Sequence, residues 1–88
     1  MYQEEIVIYA RTRCRQCRRA RRILERRGYA FEAVDVGGDE ELSARLNETT
    51  GKKKVPLIFL GGRLVGGLAD IEALERSGDL DRLVRGRV

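Results

Sequence analysis

Two cysteines separated by two residues stand where a strand-like segment gives way to a helix-like one. Residues 6–9 (IVIY) are apolar and β-branched, which predicts a short buried strand. From about residue 14 to residue 27, apolar positions recur at helical spacing, and Gly28 can cap the end of that helix. Any fold of this chain must therefore place Cys14 and Cys17 at the start of its first helix.

The rest of the chain continues the alternation and predicts the order β-α-β-α-β-β-α. Asp39 can cap a second helix that carries Leu42 and Leu46 on one face and stops at Gly51. The pair Gly61-Gly62 is typical of a turn between two antiparallel strands. The C-terminal helical pattern is interrupted near Ser77-Gly78, and its apolar positions are Ile71, Leu74, Leu80, Leu83 and Val84. Strands are predicted at residues 6–9, 31–36, 55–60 and 63–65. With 88 residues, we expect one domain spanning residues 1–88.

Positive charge is concentrated at the N-terminal end of the chain. Residues 1–27 hold nine arginines and three glutamates, or +6, whereas residues 28–88 hold nine basic and eleven acidic residues, or −2. Such a patch can hold anions, and a pI of about 9.5 is compatible with nonspecific nucleic-acid binding. Three tyrosines and two phenylalanines provide no stacking platform beside the arginines. Specific nucleic-acid recognition is therefore not expected.

Sequence features that locate the chain in the cell favour the cytoplasm. No apolar run approaches the length of about 18 residues that a membrane span needs, and residues 1–5 lack the pattern of a secretory signal. We expect a cytoplasmic monomer that does not bind membranes. Thiols stay reduced in that compartment, so a CxxC pair there is typically redox-active or metal-binding.

The position of Cys14 favours a reactive thiolate. Unpaired N–H groups and the dipole at a helix N-terminus stabilise an anion, and Arg11, Arg13 and Arg15 are close enough in sequence to add to this effect. The arginines beyond residue 18 are expected to form a solvated helix face. Cys17 falls on the apolar side of the same turn. Cys14 is thus predicted to attack a disulfide, and Cys17 to resolve the mixed disulfide that forms.

A metal site is the alternative use of the two thiols. Zinc requires four ligands, but the chain has no histidine and only two cysteines. A second CxxC would have to come from another subunit, for zinc or for an iron–sulfur cluster bridging two chains. No metal is expected in the monomer.

The chain resembles a glutaredoxin over nearly its whole length, from IVIYARTRC through KKKVPLIFLGGRLVGGLADIEAL to SGDLDRLV. Four features coincide at family spacing: a strand leading into CxxC, a Val-Pro pair, the GGRLVGG hairpin, and Asp70 three residues after Gly67. The resemblance implies an α/β, thioredoxin-like fold with a four-stranded mixed sheet flanked by helices. It also implies glutathione as co-substrate, and reduction of disulfide-bonded and glutathionylated proteins.

The resemblance assigns roles to individual residues of the thiol end of the site. Cys14 is similar to the family nucleophile and Cys17 to the resolving thiol. Pro56 matches a proline that follows a cis peptide bond, and the backbone of Val55 matches the segment that pairs with the cysteinyl part of glutathione. Arg11 stands where the family has a lysine near the thiol.

The same resemblance places the other parts of glutathione. The N–H groups of Leu68 and Ala69, after Gly67, would hold the γ-glutamyl carboxylate, as helix N-termini commonly hold anions. Asp70 would accept from the γ-glutamyl amine, cap the helix, or do both. Lys52 would face the glycyl carboxylate.

The chain departs from the family at two places. It has Arg15 and Gln16 between the cysteines instead of proline and an aromatic residue, so Gln16 replaces a ring that packs beside bound glutathione. Lys54 replaces the threonine that commonly precedes Val-Pro. A glutamine before the second cysteine is similar to redoxins that donate electrons to ribonucleotide reductase and are reduced by thioredoxin reductase. That function is the alternative, although GGLAD favours glutathione.

Overall fold

The predicted alternation of strands and helices is confirmed in the computed structural model, which describes residues 2–51 and 54–86. Within these residues the elements are β1 (Ile6–Ala10), α1 (Arg15–Arg26), β2 (Glu32–Asp35), α2 (Glu40–Thr50), β3 (Leu57–Leu60), β4 (Arg63–Gly66), α3 (Leu68–Ser77) and α4 (Asp79–Arg85). The C-terminal pattern forms two helices rather than the one in the predicted order. Gly78 ends α3 in the left-handed conformation, with φ of +85°, and the chain changes direction there before α4.

The four strands form one mixed sheet in the order β2-β1-β3-β4. β1 pairs in parallel with β2 and antiparallel with β3, and β3 and β4 form the predicted antiparallel hairpin. β1 is therefore an interior strand, fixed from both sides. The two cysteines follow shortly after the end of β1, so this strand fixes where they lie.

The core lies between the sheet and α1, α3 and α4. Alternate residues of β1 are buried, and α1 buries the four positions predicted from its spacing, Cys17, Ala20, Ile23 and Leu24. Ile71, Leu80 and Val84 close the core from the C-terminal helices. The apolar pattern of the tail included Leu83, which is 42% exposed because α4 directs Leu80 and Val84 inward instead.

The second helix has the predicted ends but little buried surface. Asp39 accepts a hydrogen bond from the N–H of Leu42 at 3.0 Å, and Gly51 ends the helix with φ of +72°. Leu42 and Leu46, predicted to share an apolar face, are only partly buried. α2 therefore covers the edge of the core rather than its centre.

Ion pairs connect α1 to α3. Arg19 lies 2.9 Å from Glu72, and both Arg26 and Arg27 lie 3.1 Å from Glu75. Burial disfavours the ionised carboxylate of Glu75, but hydrogen bonds from the two arginines outweigh it and lower the pKa of Glu75. The later arginines are exposed, as predicted, yet three of them also contact glutamates of a neighbouring helix. Sequence spacing within α1 could not show this, because the partners lie about 50 residues away.

Tyr29 joins the end of α1 to α4. Its ring is 4% exposed and lies 5.0 Å from the guanidinium of Arg85. Its hydroxyl donates to Asp81 Oδ1 at 2.8 Å. Burial, together with this hydrogen bond, raises the pKa of Tyr29 to about 12. The contact therefore stabilises the protonated phenol.

We predict that Tyr29→Phe lowers the free energy of unfolding by about 1 kcal/mol, because it removes one hydrogen bond whose acceptor, Asp81, is largely exposed and therefore screened by solvent. For a domain of this size the midpoint of thermal unfolding should fall by roughly 4–8 °C. Thermal denaturation at neutral pH, followed by circular dichroism, measures the change. An unchanged midpoint would show that the bond to Asp81 contributes nothing to stability.

The pH dependence of the same contact has a definite sign. An unfolded tyrosine loses its proton near pH 10, whereas folded Tyr29 retains it until about pH 12, so the wild type should lose stability as the pH rises through this interval. Tyr29→Phe lacks this contribution. Its thermal midpoint should fall less than that of the wild type between pH 9 and pH 11.

Candidate active site

Cys14 is the N-cap residue of α1, as the sequence predicted. Its backbone is extended, with φ of −105° and ψ of 113°, and its Sγ accepts a hydrogen bond from the N–H of Cys17 at 3.1 Å. The side chain is partly buried. Since N–H groups in the first helical turn have no partner within the helix, they favour negative charge on this sulfur. The geometry thus supports Cys14 as the reactive thiol.

The turn before Cys14 has an uncommon backbone conformation. Arg13 lies in the left-handed region with φ of +60°, the only non-glycine residue to do so among the described residues. A side-chain-bearing residue pays roughly 1–2 kcal/mol for this conformation. The surrounding structure stabilises this conformation of Arg13, because the chain has to reverse direction between β1 and α1 within a few residues.

Cys17 lies one helical turn after Cys14 and is buried, with 1% of its surface exposed. Burial, followed by the hydrogen bond with Cys14, raises the pKa of the Cys17 thiol to about 11, although Arg11 acts in the opposite direction. Cys17 is therefore a protonated thiol at neutral pH. Both cysteines are in the reduced form. The two sulfurs differ in exposure and in hydrogen bonding in the way that a nucleophile and a resolving thiol require.

The thiol opens into a cleft of about 400 Å³ that carries several positive charges. It is lined by Arg11, Thr12, Arg13, Cys14, Gln16, Lys54 and Val55. The structure thus places Arg11 and Gln16 at the thiol, where the resemblance put them. Arg15, expected to act on the thiol, does not line the cleft and lies exposed on α1.

A second cleft of about 540 Å³ lies beside the first. The Val55-Pro56 peptide bond is cis, as the resemblance implied, and both residues line this cleft. The two clefts share Gln16, Lys54 and Val55. The remaining lining residues are Gly51, Leu57, Gly67, Leu68, Ala69, Asp70 and Glu72. Lys52, predicted for this site, lies outside the described residues.

The N-terminus of α3 forms one end of the second cleft. Asp70 Oδ2 accepts a hydrogen bond from the N–H of Gly67 at 2.9 Å, so Asp70 caps the helix from its third position. Gly66 has φ of +138°, and a Cβ there would overlap the Asp70 carboxylate. Glycine is therefore required at this position both by the backbone conformation and by the space that Asp70 occupies.

The structure brings together the predicted residues of the thiol and of the α3 terminus, and adds five that sequence reasoning did not assign. Thr12 lines the thiol cleft, and Lys54 lines both clefts. Gly51 and Leu57 line the second cleft from the segments before and after the cis bond. Glu72 lies two residues after Asp70 and lines the cleft while paired with Arg19. The position of Glu72 on α3, close to Asp70, could have indicated from the sequence that it lines the cleft. Nothing in the sequence indicated that it pairs with Arg19.

A metal-binding cluster and a membrane-spanning helix are both absent from the part of the chain that the structure describes. There, no group of three or more cysteine, aspartate or glutamate side chains could hold a metal ion. No helix of residues 2–51 and 54–86 is long and apolar enough to cross a membrane.

Comparison with known proteins identifies one family. A glutaredoxin family model matches residues 6–65. A glutaredoxin of Pseudomonas aeruginosa is 42% identical over 79 residues, which cover 90% of this chain and 94% of that protein. The solution structure of a Brucella melitensis glutaredoxin superimposes with a TM-score of 0.85 at 37% identity, covering 100% of this chain and 97% of that one.

A more distant structure agrees on the fold. A buckwheat glutaredoxin–glutathione complex has a TM-score of 0.89 to this chain at 23% identity and covers 94% of this chain and 78% of its own. Together with the CxxC pair at the N-terminus of α1, these matches establish the family. This chain belongs to the glutaredoxin family and is a thiol–disulfide oxidoreductase with a thioredoxin-like fold.

Proposed function

We propose that the protein uses glutathione to reduce glutathionylated proteins and protein disulfides, and that it does so in the cytoplasm. The observation that carries the proposal is the joining of two clefts, one holding the Cys14 thiol and the other bounded by Val55-Pro56 and the N-terminus of α3. A tripeptide with two carboxylates and one ammonium group fits this combination of a thiol, exposed backbone and a helix N-terminus.

The second cleft offers a partner for each charged group of the γ-glutamyl end. The N–H groups of Leu68 and Ala69 belong to the first turn of α3 and favour a carboxylate. Asp70 uses Oδ2 for the helix cap, and no hydrogen bond engages its other oxygen in residues 2–51 and 54–86. The carboxylate of Asp70 can therefore accept from the γ-glutamyl amine without giving up the cap.

The thiol cleft supplies the remaining contacts. The backbone of Val55 lies at the junction of the two clefts, where the cysteinyl part of glutathione would pair with it. The cations of Arg11 and Lys54 line the thiol cleft and can attract the glycyl carboxylate. We propose Lys52 for the same role from sequence alone.

With a glutathionylated protein, the Cys14 thiolate attacks the glutathione sulfur. A bond forms between Cys14 Sγ and that sulfur, the mixed disulfide breaks, and the protein thiolate leaves and takes up a proton. The thiolate of a second glutathione then attacks the bound glutathione sulfur. Oxidised glutathione forms and the Cys14 thiolate is regenerated, so the thiol of the second glutathione is oxidised and one protein thiol is restored.

Cys17 is needed when the substrate is a protein disulfide. Cys14 first forms a mixed disulfide with one protein sulfur, and Cys17 then attacks Cys14 Sγ, releasing the second protein thiol. The proton of the Cys17 thiol must leave at this step, since burial keeps that thiol protonated beforehand. Two glutathione molecules reduce the resulting Cys14–Cys17 disulfide and form one oxidised glutathione.

We predict that Cys14→Ser abolishes reduction of every disulfide substrate, because it removes the attacking sulfur. Cys17→Ser should retain turnover of a glutathionylated peptide, which needs one thiol, but should lose most turnover of a protein disulfide. A coupled assay with glutathione, glutathione reductase and NADPH measures both reactions. An active Cys14→Ser protein beside an inactive Cys17→Ser protein would reverse the two assignments.

We predict that Asp70→Ala raises the KM for glutathione by roughly tenfold to a hundredfold. This range corresponds to the loss of about 1.5–3 kcal/mol when a hydrogen bond to a charged group is removed. Loss of the helix cap should also lower stability by about 1 kcal/mol. Steady-state kinetics with varied glutathione, together with thermal denaturation, separate the two effects.

Asp39→Ala is the matched control for this experiment. Asp39 caps α2 through a hydrogen bond from Leu42, and it does not line either cleft. This variant should lose comparable stability with an unchanged KM for glutathione. If Asp70→Ala behaves like Asp39→Ala, Asp70 is a helix cap only, and the proposed γ-glutamyl site is wrong.

The alternative function, a redoxin that donates electrons to ribonucleotide reductase, is favoured by one observation. Gln16, the residue shared with such redoxins, lines both clefts and so touches whatever binds beside the thiol. Parallel assays that supply either glutathione with its reductase or thioredoxin reductase distinguish the two. Turnover with thioredoxin reductase alone would favour the redoxin.

A further inference from the structure

One stripe of α1 carries positive charge that neither the core nor the proposed glutathione site uses. Arg15, Arg18 and Arg22 are spaced so that they fall within an arc of about 60° on the helix, opposite the buried face. All three are exposed. We call this stripe the arginine ridge. It begins one residue after Cys14 and extends roughly 10 Å along α1.

The ridge differs from the neighbouring arginines in its ion pairs. Arg19, Arg26 and Arg27, on the side facing α3, contact Glu72 and Glu75. Among the described residues, no carboxylate lies within ion-pair distance of a ridge arginine. Glu25 is the one acidic residue of α1 and lies beyond the far end of the ridge. Arg22 lines a groove with Glu72 and Glu75 but forms an ion pair with neither. The ridge arginines are therefore not ion-paired within the described fold.

The ridge is continuous with the positive charge around the thiol. Arg11, Arg13 and Lys54 line the thiol cleft, and Arg15 follows Cys14 directly. Glutathione occupies the cleft in the proposed function, and its carboxylates are matched by the cleft cations and by the N-terminus of α3. Arg18 and Arg22 lie one and two helical turns beyond Cys14, along the outer face of α1. They extend the positive charge beside the thiol along the helix.

We propose that the arginine ridge docks an acidic segment of the protein substrate, adjacent to the cysteine that carries glutathione. This inference rests on the proposed function and names the class of substrate that it favours. Unpaired cations beside a reacting thiol attract carboxylates and raise the rate of encounter, and salt weakens the effect. A polypeptide fits better than a nucleic acid because α1 carries no aromatic side chain for stacking.

The test compares two glutathionylated peptides of equal length, one with aspartate and glutamate around the modified cysteine and one with asparagine and glutamine instead. At low salt, kcat/KM for the acidic peptide should exceed that for the neutral peptide by about tenfold or more. The difference should shrink at 0.5 M NaCl. Equal values of kcat/KM for the two peptides at low salt would overturn the proposal.

A double variant, Arg18→Gln with Arg22→Gln, locates the effect on the ridge. It should remove most of the advantage of the acidic peptide and leave turnover of a small mixed disulfide of glutathione and 2-mercaptoethanol unchanged. Arg45→Gln with Arg63→Gln is the matched control, since it removes the same charge from α2 and β4. An equal loss in both double variants would show that net charge, and not the ridge, attracts the peptide.

A binding measurement separates this proposal from the proposed function. Fluorescence anisotropy of the labelled, unmodified peptides with the Cys14→Ser protein compares affinities without turnover. Tighter binding of the acidic peptide that is lost in the ridge variant supports docking even if glutathione proves not to be the reductant. Preference for a labelled single-stranded oligonucleotide over the acidic peptide at physiological salt would overturn it.

Discussion

The attachment of the N-terminus of α1 to the end of β1 is the constraint on which the site depends. β1 is held on both sides by neighbouring strands, and α1 is held by four buried residues of its inner face. The position of Cys14 is therefore set by the core and not by the flexibility of a loop. The first turn of the helix presents its N–H groups to the Cys14 sulfur, as shown by the bond from Cys17. Burial of Cys17 in the same turn keeps the second thiol protonated and shielded until it is needed.

A second helix N-terminus completes the site by the same physical means. α3 begins at Leu68, and its first turn lies at the cleft that Gln16 of α1 also lines. One terminus donates a hydrogen bond to the Cys14 sulfur and the other is available to a carboxylate, because both have N–H groups without partners in the helix. The glycine at position 66 permits the close approach of Asp70 that caps α3. The thiol and the proposed glutathione site thus each depend on the unpaired N–H groups of a helix N-terminus.

The arginines of α1 divide according to what faces them. Those directed toward α3 meet Glu72 and Glu75, and such exposed pairs contribute little to stability individually. Those at positions 15, 18 and 22 form no ion pair in the described part of the chain, although Arg22 lines a groove with Glu72 and Glu75. A single helix therefore combines contacts that position α3 with a surface available to a partner. The concentration of arginines near the N-terminal end of the sequence is therefore explained only when the arginines that contact α3 are separated from those that do not.

Local sequence determined the elements and the identity of the thiols. An apolar, β-branched run predicted β1, helical spacing predicted α1, and the Gly61-Gly62 turn predicted the β3–β4 hairpin. Asp39 and Gly51 marked the ends of α2, because caps and turns depend on residues near in sequence. Tertiary structure alone decided that Arg19 pairs with Glu72 and that the two clefts share Val55. It also decided that position 66 must be glycine, because the Asp70 carboxylate occupies the space that a Cβ would fill. Each of these depends on where separate elements pack against one another. Sequence by itself thus specified a CxxC helix N-terminus, and only the packing of α1, α3 and the cis Val55-Pro56 segment decided what surrounds the Cys14 sulfur.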